Sequence, residues 1–344
     1  MCIRDRYQTE NVFIVLIDGV RFTEGFGEPN HINTPYMWNY LRPNGTVDMS
    51  FYNKGETKTL SGHASTMTGS WQSLPNDGSM RPSQVTLFEL YRKQTGADSL
   101  DVWSVTGKEK LEAVSYSENV DYGATYRASF DCPAPEYNDT ATWQKVQSVM
   151  DDHHPSLMMI NLAEVDIDGH SGDWNEYVRA IQGADKIVYD LWNKIQSDPI
   201  YKDKTTMIVT NDHGRHLNGT ETGWKDHGCD CIGCQRLMFM ALGPDIKVGE
   251  QLMNDGELID ITPTVGVLLD LDMPYTLGEP MLDILTHPPN EDPSDDTGNG
   301  DTTGDGTGEA SLFESPVVLM LLIAVPVVLV LAAVMAKRKK GGAG

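Results

Sequence analysis

The sequence predicts an α/β fold, with a mainly parallel central sheet flanked by helices, followed by a C-terminal transmembrane helix. Three observations predict it. Short, predominantly apolar runs at 12–17, 156–162, 206–210 and 237–242 have the length and composition of strands buried on both faces. Amphipathic helical patterns separate them, clearest over 174–196, where Tyr177, Ile181, Ala184, Ile187, Val188, Leu191 and Ile195 fall on one stripe. Beyond residue 288 the composition changes abruptly, first to a polar stretch and then to a long apolar one.

Taken in order, residues 1–10 contain no apolar run and no small-residue cleavage site, so they read as a truncated start rather than a signal peptide. Residues 11–287 form the domain, in one core of ample size for a chain that is 40% hydrophobic. Residues 288–315 are rich in Pro, Asn, Asp, Gly and Thr, with too little apolar surface to offset the entropy of ordering them, and read as an acidic disordered linker. Residues 316–336 are apolar apart from Pro326 and long enough to span a bilayer. The basic tail 337–344 follows, with Glu309 and Glu314 on the other flank, which places the tail in the cytoplasm and the domain outside or in the periplasm. The formal net charge of −24, with basic residues clustered only at the extreme C-terminus, excludes a phosphate-binding nucleic-acid surface and favours metal cations and small substrates as partners.

In parallel sheets, ligands collect beyond the carboxyl ends of the strands. Asp18 ends the first apolar run, Asp166 and His170 follow the second, and Asp212 and His213 follow the third, while His227 precedes the fourth. Taken singly, Asp18-Gly19 is a common turn and a loop histidine is usually solvated. Together, in this order, they read as metal ligands. Between them lies a hydroxyl-rich segment, 55–69, in which Thr59 is the candidate nucleophile. A threonine hydroxyl needs a base, a metal or a helix N-terminus to react. The plain alternative is that Thr57, Thr59 and Ser61 are N-caps of an ordinary helix that begins near Ser61-Gly62.

These motifs resemble the alkaline phosphatase superfamily, in particular its type I phosphodiesterase and nucleotide pyrophosphatase branch, over about residues 11–285. Thr57, Lys58, Thr59, His63, Thr68 and Gly69 are similar to the nucleophile segment; Asp166, Gly169 and His170 to the Asp-x-x-Gly-His motif; Asp212, His213 and Gly214 to a third signature. Residues 259–269 and Gly278, Glu279 and Pro280 look like the closing helix and its turn. The resemblance implies that Asp166, His170 and His227 bind one metal ion, and that Asp18, Asp212, His213 and the Thr59 oxygen bind the other. Such mixed carboxylate and imidazole ligation suits two Zn²⁺ ions, with Mn²⁺ compatible. It further implies hydrolysis of small-molecule phosphate esters through a phosphothreonine. Two departures from the pattern stand out. Asn76 is the only asparagine available to donate to a phosphoryl oxygen, at a shorter spacing than in the branch and within a plain turn sequence. Lys108 and Lys110 resemble the Lys-x-Arg pair of threonine-nucleophile alkaline phosphatases, which would favour a dianionic monoester; otherwise they are a solvated charge run.

With Cys2 set aside as part of the truncated start, Cys132, Cys229, Cys231 and Cys234 are an even set, and on an outward-facing domain they favour two disulfides; a Cys-x-x-Cys pair could otherwise be a zinc or redox motif. The competing functions are a sulfatase of the same superfamily, although no Cys/Ser-x-Pro-x-Arg motif surrounds Thr59, and a non-catalytic surface binding protein on this scaffold.

Overall fold

A computed structural model describes residues 7–289. The predicted transmembrane helix at 316–336, the basic tail at 337–344, nearly all of the linker and residues 1–6 lie outside the described residues. Among the described residues, no helix is long and apolar enough to cross a membrane.

The strands are β1 (Asn11–Ile17), β2 (Gly45–Tyr52), β3 (Val102–Thr106), β4 (Ser129–Asp131), β5 (Leu157–Leu162), β6 (Thr205–Thr210), β7 (Arg236–Leu242), β8 (Glu250–Leu252) and β9 (Gly256–Glu257). The α-helices are α1 (Thr59–Thr68), α2 (Leu87–Thr95), α3 (Asp139–His153), α4 (Glu164–Ser171), α5 (Trp174–Ser197), α6 (Ile232–Gln235) and α7 (Ile261–Leu269). The strands form one sheet in the order β4-β3-β5-β1-β6-β7-β2-β8, with β9 also on β2. The sheet is mainly parallel, as expected, but β7 runs antiparallel to both β6 and β2.

The apolar runs became strands because both sheet faces are covered. Along β1, Phe13, Val15 and Ile17 join one core with α3 and α5, while Val12, Ile14 and Leu16 join a second core with α1, α2 and α7. The long amphipathic helix is α5, and its apolar stripe is buried except for Ile187, which is half-buried. Its start is fixed by Asp173, whose carboxylate accepts from the Asn175 and Glu176 amides. The stripe also carries Asp185, which accepts from the Tyr36 and Met37 amides at 2.8 and 2.7 Å and so pins the start of the short helical turn Met37–Leu41 to α5.

The two expected disulfides are not formed: all four described cysteines are free. For Cys132, topology is the reason. Cys132 follows β4 at one edge of the sheet, whereas Cys229, Cys231 and Cys234 lead into β7 beyond its centre.

Candidate active site

Strand register gathers the site. Leu16 of β1 pairs with Asn161 of β5 and with Thr210 of β6, and Thr106 of β3 also pairs with Asn161. Two residues beyond these level positions stand Asp18, Ala163, Asp212 and Lys108, so four parallel strands release the polar residues that follow them at one edge. Asp166 and His170 come one turn later, on α4. His227 reaches the same edge from the opposite direction, because β7, which it precedes, is antiparallel.

All six predicted metal ligands converge there. His213 Nε2 lies 3.5 Å from Asp18 Oδ1 and 3.3 Å from Asp212 Oδ2. Asp166 Oδ1 lies 3.3 Å from His170 Nε2 and 3.6 Å from His227 Nε2, and the two imidazole nitrogens are 3.2 Å apart. Close approach is built into the backbone. Gly19 has φ +72° and a side chain there would meet Asp166 Oδ1 at 2.8 Å; a Cβ at Gly62 would meet the Asp212 carbonyl at 2.7 Å, so α1 can lie against the strand end only with glycine at that position.

The donor set fits metal ions. Asp212 Oδ2 and His213 Nε2 are buried without a hydrogen-bond partner, a costly arrangement unless a cation satisfies both. The tautomers agree: His213 Nδ1–H donates to the Gly214 carbonyl at 3.0 Å and His227 Nδ1–H to the Thr57 carbonyl at 2.8 Å, which leaves each Nε2 lone pair free. Burial pushes the His213 pKa down to about 3 and lowers that of His227, so both rings are neutral, as ligation requires. His63 also stands beside Asp18 and Asp212 but is committed elsewhere. Its Nδ1–H donates to the Thr59 carbonyl at 2.8 Å and its Nε2 accepts from Asn161 Nδ2 at 3.0 Å.

Thr59 is the first residue of α1, two positions earlier than the sequence suggests. None of the three hydroxyls is the N-cap: Lys58 holds that position, with no side-chain capping bond of its own. Thr59 Oγ1 is 3.5 Å from Asp18 Oδ1. Thr66 and Thr68 are buried and donate to the Gly62 and Ala64 carbonyls. Asn76 is exposed at the helix start, where its Oδ1 accepts from the Leu60 amide at 3.0 Å.

The two lysines separate. Lys108 Nζ is buried 2.8 Å from Asp18 Oδ2, 2.7 Å from Asp166 Oδ2 and 3.4 Å from Thr59 Oγ1. Burial would lower its pKa, but the two carboxylates outweigh burial and raise it, so it is a fixed cation. Lys110 does not join it: its ammonium donates to the Asn76 carbonyl at 3.2 Å, on the exposed side. The sequence reading missed Arg215 and Asn161. Arg215 is wholly buried, bonds both the carboxylate and the carbonyl of Asp166, and holds the Gly19 carbonyl at 2.9 Å. Burial would raise the Asp166 pKa, but Lys108, His170 and Arg215 hold it well below the usual carboxylate range. Asn161 donates to Asp18 Oδ2 at 3.1 Å. Asn161 was legible as an amide inside an otherwise apolar run; Arg215 had only its nearness to His213.

A model of the Metalloenzyme superfamily matches residues 12–273. The chain belongs to that superfamily. The resemblance to the alkaline phosphatase superfamily therefore stands, and a divalent-metal requirement follows from membership. A curated relative, the 2,3-bisphosphoglycerate-independent phosphoglycerate mutase of Haloarcula marismortui, is 28% identical over 162 residues, which cover 46% of this chain and 29% of the mutase. The chain thus spans under a third of that enzyme's length. Murine ectonucleotide pyrophosphatase/phosphodiesterase 5 superposes with a TM-score of 0.61 at 14% identity, over 80% of this chain and 100% of that one. The same murine protein as an inactive threonine-to-alanine variant with AMP gives 0.60 at 14% identity, again over 80% and 100%. A phosphonate monoester hydrolase from Silicibacter pomeroyi gives 0.57 at 14%, over 83% and 78%. Metalloenzyme superfamily members are metal-dependent phosphoryl-transfer enzymes, and at these identities the structural likenesses establish the fold alone.

Proposed function

We propose that the chain is a two-metal hydrolase of small-molecule phosphate esters that acts through a covalent phosphothreonine on Thr59. One observation carries the reading: Thr59 Oγ1 lies at a helix N-terminus, beside Asp18 and within 3.4 Å of the Lys108 ammonium. Asp18, Asp212 and His213 with Thr59 would hold one ion, and Asp166, His170 and His227 the other; zinc suits these donors, and manganese is compatible. When bound, the ions supply positive charge that lowers the hydroxyl pKa and neutralises phosphoryl oxygens.

The chain's own groups do the rest. The Thr59 proton has a carboxylate acceptor in reach, Asp18 Oδ1. As Oγ1 bonds to phosphorus, the ester P–O bond opposite breaks and the leaving-group oxygen departs. The N-terminal end of α1 would favour an anionic phosphoryl group, the Asn76 side-chain nitrogen would donate to a non-bridging oxygen, and Lys108 adds a fixed positive charge. Water then attacks phosphorus, the P–Oγ1 bond breaks, and a proton returns to Thr59. The inactive threonine variant of the murine neighbour supports this assignment by analogy.

A sulfatase is the second reading, but threonine stands where sulfatases need a Cys or Ser precursor of formylglycine. The apolar span at 316–336 and the basic run after it support a membrane anchor with the catalytic domain facing outward. Nitrophenyl phosphate, bis-nitrophenyl phosphate and nitrophenyl sulfate, offered to the zinc-loaded full chain, test the reaction class. Hydrolysis of one or both phosphate substrates is expected, with the better one naming the monoester or diester preference. Sulfate as the best substrate, or no turnover of any of the three, would overturn the proposal.

A further inference from the structure

We propose that His216, Cys229, Cys231 and Cys234 form a second kind of metal centre: a structural zinc site with three thiolates and one imidazole, outside the Asp/His group and independent of the reaction proposed above. The four donor atoms lie within 4.8 Å of one another although they come from two chain segments. Their spacing matches a shared ion rather than a disulfide. Tetrahedral zinc, with Zn–S about 2.3 Å and Zn–N about 2.05 Å, sets S···S near ~3.8 Å and S···N near ~3.5 Å. Cys229 Sγ and Cys234 Sγ are 3.8 Å apart, and His216 Nδ1 lies 3.0, 3.7 and 3.4 Å from the sulfurs of Cys229, Cys231 and Cys234. A disulfide would need its sulfurs at about 2.05 Å. It would also strand the third thiol beside an imidazole.

The surroundings support ligation. The Cys231 amide donates to Cys229 Sγ at 3.3 Å, a contact that stabilises a thiolate. His216 Nε2 lies 3.5 Å from Glu221 Oε2, while its Nδ1 faces the sulfurs. Gly214 and Arg215 amides donate to the Cys234 and Gly233 carbonyls at 2.7 and 2.9 Å, bringing the two segments side by side. The ion would therefore clamp both ends of the loop that carries His227. It would also steady Thr57, whose hydroxyl donates to the Cys229 carbonyl at 3.0 Å and whose carbonyl receives the His227 ring N–H.

Cobalt substitution tests this on the full chain, purified in detergent under reducing conditions. Thiolate-bound Co²⁺ gives a near-ultraviolet charge-transfer band that carboxylate and imidazole sites do not. The parent should show the band. His216→Ala and Cys231→Ser should each lose it, together with one metal equivalent per chain, while His216→Cys should keep both. Asp166→Ala should keep the band even if the candidate active site no longer loads, which separates failure of the two sites. Absence of the band in the parent, unchanged metal content in Cys231→Ser, or an intact mass showing a disulfide among the three cysteines of the parent isolated without reductant would overturn the proposal.

Discussion

Lys108 offers a test that couples stability to metal. Its ammonium lies 2.8 and 2.7 Å from Asp18 and Asp166, both buried, and is itself almost fully enclosed. Replacing it with methionine keeps most of the volume but leaves buried Asp18 without its cation and buried Asp166 with Arg215 alone. Breaking a buried pair costs about 3–5 kcal/mol, because the abandoned charge keeps its desolvation penalty. Divalent ions held by the same carboxylates would supply the missing charge, so the cost should fall mainly on the metal-free protein. Lys108 also opposes those ions: a unit positive charge at about 4 Å interacts with another at about 4 kcal/mol for an effective dielectric of 20. Lys108→Met should therefore bind metal more tightly while hydrolysing more slowly, since the charge beside Thr59 is gone. Urea unfolding with chelator and with saturating zinc measures the difference. We expect a loss of about 3 kcal/mol or more with chelator and about 1 kcal/mol or less with zinc. Equal losses in the two conditions would mean that the carboxylates near Lys108 do not hold the metal.

Three further outcomes are expected. Thr59→Ala should lose phosphoryl transfer by on the order of a hundredfold or more with both metals still bound, and Thr59→Ser should keep measurable activity; a metal-loaded Thr59→Ala as active as the parent would mean that water attacks directly. Asp139 is buried with Glu164 nearby, and these raise its pKa from 3.8 to about 7. The native state then holds this proton more tightly than the unfolded chain, so stability falls as pH rises from about 4 to about 7 and levels off above that range. Asp139→Asn keeps the acceptor for the Ala163 amide at 2.6 Å and should flatten this slope, its gain over the parent in urea unfolding growing from near zero at about pH 4 to on the order of 2–4 kcal/mol at about pH 7; identical pH profiles would refute it. Deleting the residues after Pro288 should give a soluble domain that still hydrolyses phosphate esters, checked by sedimentation and turnover, because all six predicted metal ligands and Thr59 lie before that point. An insoluble or inactive product would refute the linker-and-anchor reading.

Local sequence determined the strands that are buried on both faces, the stripe of α5, and the placement of Asp18, Asp166, His170, Asp212 and His213 just past strand ends. These were legible because periodicity and chain order are local properties, and a parallel sheet sends every strand's carboxyl end the same way. Strand β2 was missed although Thr46 to Phe51 alternate polar and apolar residues: it contains no apolar run, it buries Asp48 on its polar side, and a register shift interrupts its pairing between Asp48 and Phe51. Tertiary structure alone decided the rest. The antiparallel course of β7 brings His227 to the metal ligands. Burial between two carboxylates made Lys108 part of the site, while Lys110, two residues on, turns to the Asn76 carbonyl. Arg215 and His63 acquired their partners only when α1, α4 and the β6–β7 loop met at the sheet edge. The two disulfides expected of the cysteines are not formed, and their nearness to His216 was not legible, because His216 lies 13 residues before Cys229 in the chain and 3.0 Å from it in space. Which donors share an ion is a question of distance between segments, and spacing along one segment does not carry that information.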